Sequence, residues 1–177
     1  MTHNPLISTI AYLLYGSILL HALMALILTR HNQDARPTKY AYSKPEANSP
    51  WSSRNMGILG TVMLVFIIVH MRHFWYETHF GALRPIDYGN GEVKDLYTEV
   101  AEAFKNGWYV LGYVVSMVAV GYHLVHGFQS GFQTLGIRHK KYTPLIKAVG
   151  VYGFGVLIPA LFAIMPIYMF LKGNGYL

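Results

Sequence analysis

Four runs of this chain, roughly 6–29, 57–75, 107–128 and 145–171, are long, apolar and almost free of charge. About 20 such residues cross a bilayer as a helix, because hydrocarbon offers the backbone no partner outside its own hydrogen bonds. The second run opens on the uncharged stretch "GILGTVMLVFIIV". The fourth carries Lys147 near its start, where a long side chain reaches the interface, and Pro159 and Pro166, which are expected to bend it. The expected fold is therefore all-α: one domain over residues 1–177, built as a membrane bundle of four transmembrane helices. A soluble helical core is the competing reading, and so few polar interruptions in four such runs weigh against it.

The connections set the expected orientation. Arg30–Met56 holds five Lys/Arg and two acids, and Gln129–Pro144 holds three Lys/Arg and no acid. Tyr76–Asn106 holds three Lys/Arg and six acids. Basic loops stay in the cytoplasm, which places the first and third connections there and both termini outside. Within the acidic connection, "VKDLYTEVAEAF" has apolar residues at 93, 96, 97, 100, 101 and 104, a helical spacing that predicts an interfacial helix. "RPTKYAYSKPEANSP" reads as a loop because of its prolines. The net charge of +6 does not point to nucleic acid, since the Lys and Arg lie in short stretches between apolar runs. With no cysteine, a disulfide framework, a thiolate zinc site and a cluster-bearing Cys motif are excluded. "MTHNP" lacks the basic start of a cleavable leader.

Nine histidines occur. His3, His31, His79 and His139 fall in tails or connections, where solvation explains them. His21, His70 and His123 lie inside apolar runs, and an ionisable residue at that depth is a functional candidate. At about 1.5 Å of rise per residue, His21 and His123 lie about 12 and 8 Å from the inner ends of their runs, and His70 about 20 Å. His21 and His123 therefore share a layer. Their neighbours four residues away are Ser17 and Ala25, and Ala119 and Gly127. Small residues above and below an imidazole leave a flat slot of the kind a porphyrin needs, so bis-histidine ligation of a haem b is expected. Ser17 or a backbone carbonyl one turn earlier would accept from the second ring nitrogen. Around His70 the same positions hold the bulky Phe66 and Phe74.

Plainer roles compete with haem ligation. An intramembrane histidine can simply hydrogen-bond a neighbouring helix, and Gly127 and Gly131 have the spacing of a close-packing motif. His73 and His126 read as interface residues, with quinone or propionate contact as the alternative. Ser52, Ser53 and Arg54, at the mouth of the second run, could bind haem propionates; a helix cap with an interfacial Arg explains them equally.

"ILLHALMALILT", "SSRNMGILGTVMLVFIIVHMRHFWYE" and "VGYHLVHGFQSGFQTLGI" give the chain a resemblance along essentially its whole length. It resembles the cytochrome b membrane-anchor subunit of succinate dehydrogenase and fumarate reductase, in the single-anchor, two-haem form and in its Bacteroidetes-type version. That family has five spans, and its first four each supply one haem ligand. The resemblance implies that His21 and His123 hold the inner haem iron and that His70 is a ligand of the outer one. The family's first span is not matched here, so the axial partner of His70 is absent from this chain. An internal start at Met1, or an incomplete polypeptide, is the expectation that follows. The glutamate that some fumarate reductases carry two residues before the fourth-span histidine is Gly121 here, so no proton pathway is carried over.

The implied function is electron transfer without carbon chemistry. A flavoprotein subunit would oxidise succinate, an iron–sulfur subunit would relay the electrons, and this anchor would pass them through haem to menaquinone. The implied location is a bacterial cytoplasmic membrane, surrounded by membrane lipid. Arg138, Lys140 and Lys141 are expected to help dock the iron–sulfur subunit. Two rival functions remain: a transporter or proton channel using the histidines without haem, and a structural membrane protein whose histidines only join helices.

Overall fold

The computed structural model describes residues 4–35, 37–38, 41–87, 89, 91–137 and 139–177. The chain is all-α in architecture and divides into two compact units, residues 1–60 and 61–177. Four helical stretches are long and apolar enough to cross a membrane: Pro5–Asp34, Met56–Phe80, Gly107–Thr134 and Thr143–Gly173. The protein is thus a multi-pass membrane protein.

In the first unit, α1 spans Pro5–Asp34. Asn4 caps it by accepting from the amides of Leu6 and Ile7, and Pro5 sits in the first turn, where its missing N–H costs nothing. The helix runs past the apolar stretch into "RHNQD", because backbone helix needs no apolar side chains to continue. A 3-10 turn at Pro45–Ala47 precedes α2, the single turn Trp51–Arg54.

The second span begins as α3, Met56–His70, and widens into a π-helical stretch over Met71–Trp75 before closing as α4, Tyr76–Phe80. The acidic connection then forms a short antiparallel hairpin, β1 Pro85–Asp87 and β2 Glu92–Lys94, in the register Ile86 opposite Val93. That hairpin was not expected from the sequence. Its described turn residues Gly89 and Gly91 both take positive φ, at 89° and 101°, a conformation only glycine adopts cheaply. The predicted interfacial helix is α5, Leu96–Ala103, capped by Asp95, which accepts from the Thr98 amide at 3.0 Å.

The third span, α6, runs over Gly107–Thr134 with Asn106 as its cap. The fourth starts as α7, Thr143–Ala148, turns π-helical over Val149–Leu157, and ends as α8, Ile158–Gly173. Pro159 has no N–H for the carbonyl four residues earlier, that of Gly155, and the π stretch ends just before it. The carbonyl of Gly155 faces Gly121 of α6, where an added Cβ would lie 2.5 Å from it. Pro166 is fully buried inside α8.

The core of this unit gathers where the acidic connection meets the spans. Phe74, Phe104, Val110 and Tyr113 are buried together, with Phe66, Val100, Tyr109, Met169 and Phe170 packed around them. Phe104, 1% exposed, is the centre: its ring meets those of Phe74, Tyr109 and Tyr113 at 5.0–6.1 Å. A fully buried aromatic of this size contributes about 2–3 kcal/mol through burial alone.

Candidate functional site

The intramembrane histidines occupy two different surroundings. His123 lies just past the middle of α6. Its ring is partly buried and its Nδ1 is closed off from solvent. One turn earlier Ala119 is buried, at 5% exposure. One turn later, beyond its chain neighbours and the helix's own backbone, no atom of the described residues of this unit comes within 4 Å of where a Cβ on Gly127 would stand, and the same holds for Gly131. The close-packing reading of these two glycines therefore fails within this unit. Tight packing against α6 falls elsewhere: on Gly121 against Gly155, and on Gly150, whose added Cβ would lie 2.7 Å from Phe128. His126 is partly buried on the next turn.

In the first unit, His21 stands on α1 one turn after Ser17. The Ser17 hydroxyl donates to the Leu14 carbonyl at 2.8 Å. Its only proton being committed there, the Ser17 oxygen can serve an imidazole one turn on only as an acceptor, the role expected of it. Near the start of the second span, the Arg54 guanidinium donates to the Ser49 carbonyl, and Asn55 donates to the Trp51 carbonyl at 2.9 Å. Ser52 and Ser53 lie partly buried on α2. Their expected role as a helix cap gains nothing, because no side chain caps α2.

His70 and His73 are held quite differently. His70 ends α3 and His73 lies in the π stretch, and both turn towards α6. His70 Nδ1 is 3.2 Å from the hydroxyl of Tyr113, which is 3.2 Å from the hydroxyl of Tyr109. Tyr109 is in turn 2.8 Å from His73 Nδ1. His73 Nε2 lies 3.3 Å from a carboxylate oxygen of Glu99 on α5. Five side chains from four elements thus form one continuous line. Aromatic rings fix it: Phe66 and Phe74 lie 5.7 and 5.3 Å from the His70 ring, and Phe74 stacks on His73 at 4.9 Å. The bulky flanks read from the sequence are in place, as walls for His70.

The outer end of this line opens into a cavity of about 500 Å³ lined by Ile68, Val69, Arg72, His73, Glu77 and Glu99. Arg72 pairs with Glu77 there and covers the Tyr76 ring at 4.6 Å. The remaining basic-loop residues behave simply: Lys141 lies over the Tyr142 ring at 5.5 Å, while Arg138 falls outside the described residues.

Sequence reasoning treated His73 as an interface residue and did not single out Tyr109, Tyr113 or Glu99. A signal existed: two tyrosines four apart in an apolar run place two hydroxyls on one helix face. Among the described residues no group of three or more His, Asp or Glu side chains is arranged to hold a metal ion by itself. No family model, no curated protein and no solved structure matches the chain.

Proposed function

We propose that this protein is a haem b-bearing membrane anchor of a succinate:quinone oxidoreductase, passing electrons between an iron–sulfur subunit and menaquinone. The observation that carries the reading is the environment of His123. An imidazole in the middle of a membrane span has its Nδ1 shielded, and beside it lies the open flank left by Gly127. The open place at Gly127, one turn from His123, leaves room for a flat prosthetic group beside the imidazole. In this reading His123 is one axial ligand, and His21 of α1, matched to it in depth and flanks by the sequence, is the other. Ser53 and Arg54 are the candidates for the propionates. A haem bound there would supply one-electron redox chemistry. The chain's own residues would hold the iron by two neutral imidazoles, exclude water, and set the potential through burial and nearby charge. Menaquinone, the flavoprotein and iron–sulfur subunits, and a bacterial cytoplasmic membrane come to this chain through the resemblance alone.

The test is a reduced-minus-oxidised absorption spectrum of the purified chain, with haem counted per polypeptide. One haem per chain, lost in His21→Ala and in His123→Ala, is the expected result. Two haems would assign His70 to a second iron. No Soret absorption at any haem supply would sink the reading and favour a transporter or channel. Charge reversal of Lys140 and Lys141 to Glu is expected to weaken binding of the iron–sulfur subunit, measured by co-purification.

A further inference from the structure

Between α3 and α6 runs an apolar groove of about 340 Å³ that haem binding at His123 does not use. Thr61, Val62, Val65 and Val69 of α3 line one side, and Trp108 and Gly112 of α6 the other. Val69 also lines the cavity of about 500 Å³ that holds Arg72, Glu77 and Glu99. We propose that groove and cavity together bind one phospholipid with a zwitterionic, primary-amine head, phosphatidylethanolamine. Its head lies among Arg72, Glu77 and Glu99, and one acyl chain lies between α3 and α6.

Helix geometry makes the two spaces one site. Residues 61, 65, 69 and 72 recur every three to four positions and so share one side of the span. Along that side the chemistry changes once, from threonine and valine over 61–69 to the charge of Arg72. The apolar part is about 12 Å long at 1.5 Å of rise per residue, which takes the upper part of an acyl chain. It is open to lipid: Val65 and Val69 are 56% and 41% exposed, and Trp108 82%. On the α6 side, a Cβ added to Gly112 would meet no described residue beyond its own helix within 4 Å. Trp75, Tyr76 and Trp108 sit where the apolar part gives way to charge, and such aromatic residues mark the headgroup level of a bilayer.

The cavity sorts heads by charge and by donors. Arg72 donates to Glu77 through one nitrogen, and its fork has further N–H groups for a phosphate. The carboxyl oxygens of Glu77 and Glu99 accept from an ammonium head, and both side chains are partly exposed. One basic and two acidic side chains disfavour a net-anionic head such as phosphatidylglycerol. A choline head carries methyl groups where an ethanolamine head carries N–H donors. A neutral quinone ring matches neither sign of the Arg72–Glu77 pair.

This proposal goes beyond the haem reading and does not rest on it. Its test is native mass spectrometry of the full chain in detergent, titrated at neutral pH with phosphatidylethanolamine, phosphatidylglycerol and phosphatidylcholine of the same acyl chains. The ethanolamine lipid is expected to bind about tenfold more tightly than either other, the scale of one charge-assisted hydrogen bond. Glu99→Ala is expected to cut its preference over the choline lipid at least about threefold. Val65→Trp, which fills the groove, is expected to weaken all three lipids alike. A phosphatidylethanolamine with a photoreactive group midway along one chain is expected to label α3 over 61–69 and the first half of α6. That experiment uses the unaltered chain, so it decides the matter should a variant misfold. Equal binding of the three heads, a preference for phosphatidylglycerol, or labelling confined to other segments would overturn the proposal. So would displacement of the ethanolamine lipid by an equal concentration of menaquinone, which would give the site to the quinone.

Discussion

The two ends of α6 carry the same kind of polar cargo and treat it in opposite ways. At the end near the acidic connection, Tyr109 and Tyr113 are locked among Phe66, Phe74 and Phe104, and each hydroxyl has protein partners. At the other end, His123 stands beside Gly127, and among the described residues of the unit nothing packs where a Gly127 side chain would stand. Large aromatic neighbours let a polar group be satisfied by the chain itself, so the first end is complete. Small neighbours leave room that only something else can fill. The difference teaches that a histidine within a membrane span is best judged by the volume around it, before its chemistry is considered.

Substitutions can break or sharpen that contrast. The largest effect is expected from His123→Ala, which should lower haem affinity by more than about a hundredfold, beyond what loss of an outer-shell partner costs. Haem titration followed by Soret absorbance measures it; an unchanged titration would place the haem elsewhere or nowhere. Next comes Gly121→Ala. A methyl there would meet the Gly155 carbonyl at 2.5 Å, and the overpacking should cost about 1–3 kcal/mol in detergent-unfolding midpoints. Gly127→Leu makes the complementary case six residues further on. Stability should change by less than about 1 kcal/mol, since the site is open and leucine favours helix, while haem affinity falls about tenfold as the slot fills. If Gly127→Leu destabilised the bundle as much as Gly121→Ala, the flank beside His123 would not be open as described.

The smallest effect concerns the cover over the filled end. Hydrogen bonds from Thr98, through its side chain and its amide, hold the Asp95 carboxyl below its ordinary value of 3.8. A carboxyl with a lowered folded pKa contributes stability that is present above its unfolded pKa and lost as pH falls through the folded one. The start of α5 should therefore fray only below about pH 4, visible as faster amide exchange at Thr98, and Asp95→Asn should remove that pH dependence.

The four spans were legible because bilayer crossing demands an apolar run of fixed length, and such runs are visible residue by residue. Their ends were less so: α1 continues to Asp34 and α6 to Thr134, since a helix stops at a cap or turn and not where hydropathy changes. The helix over 96–103 was readable from its period, while the hairpin beside it, three residues a side, was too short to announce itself. Phe66 and Phe74 around His70 followed from i±4 geometry. The bonds of His70 and His73 to α6 did not, because partners 43 and 36 residues away are fixed by packing, which no local pattern encodes. The widened turns at 71–75 and 149–157 were equally hidden.

The first of those widened turns has a consequence for any chain built on this plan. A π turn accommodates an extra residue in an otherwise ordinary helix. Deleting one position from Met71–Trp75 would let the backbone relax into regular α-helix and swing everything beyond it by about 100°. His70 would keep its place against Tyr113, but Glu77 and the entry to the acidic connection would be carried around the axis, and with them the route by which Glu99 is delivered to His73. The link between the membrane interior and the aqueous edge thus hangs on a single inserted amino acid that forms no part of the line itself.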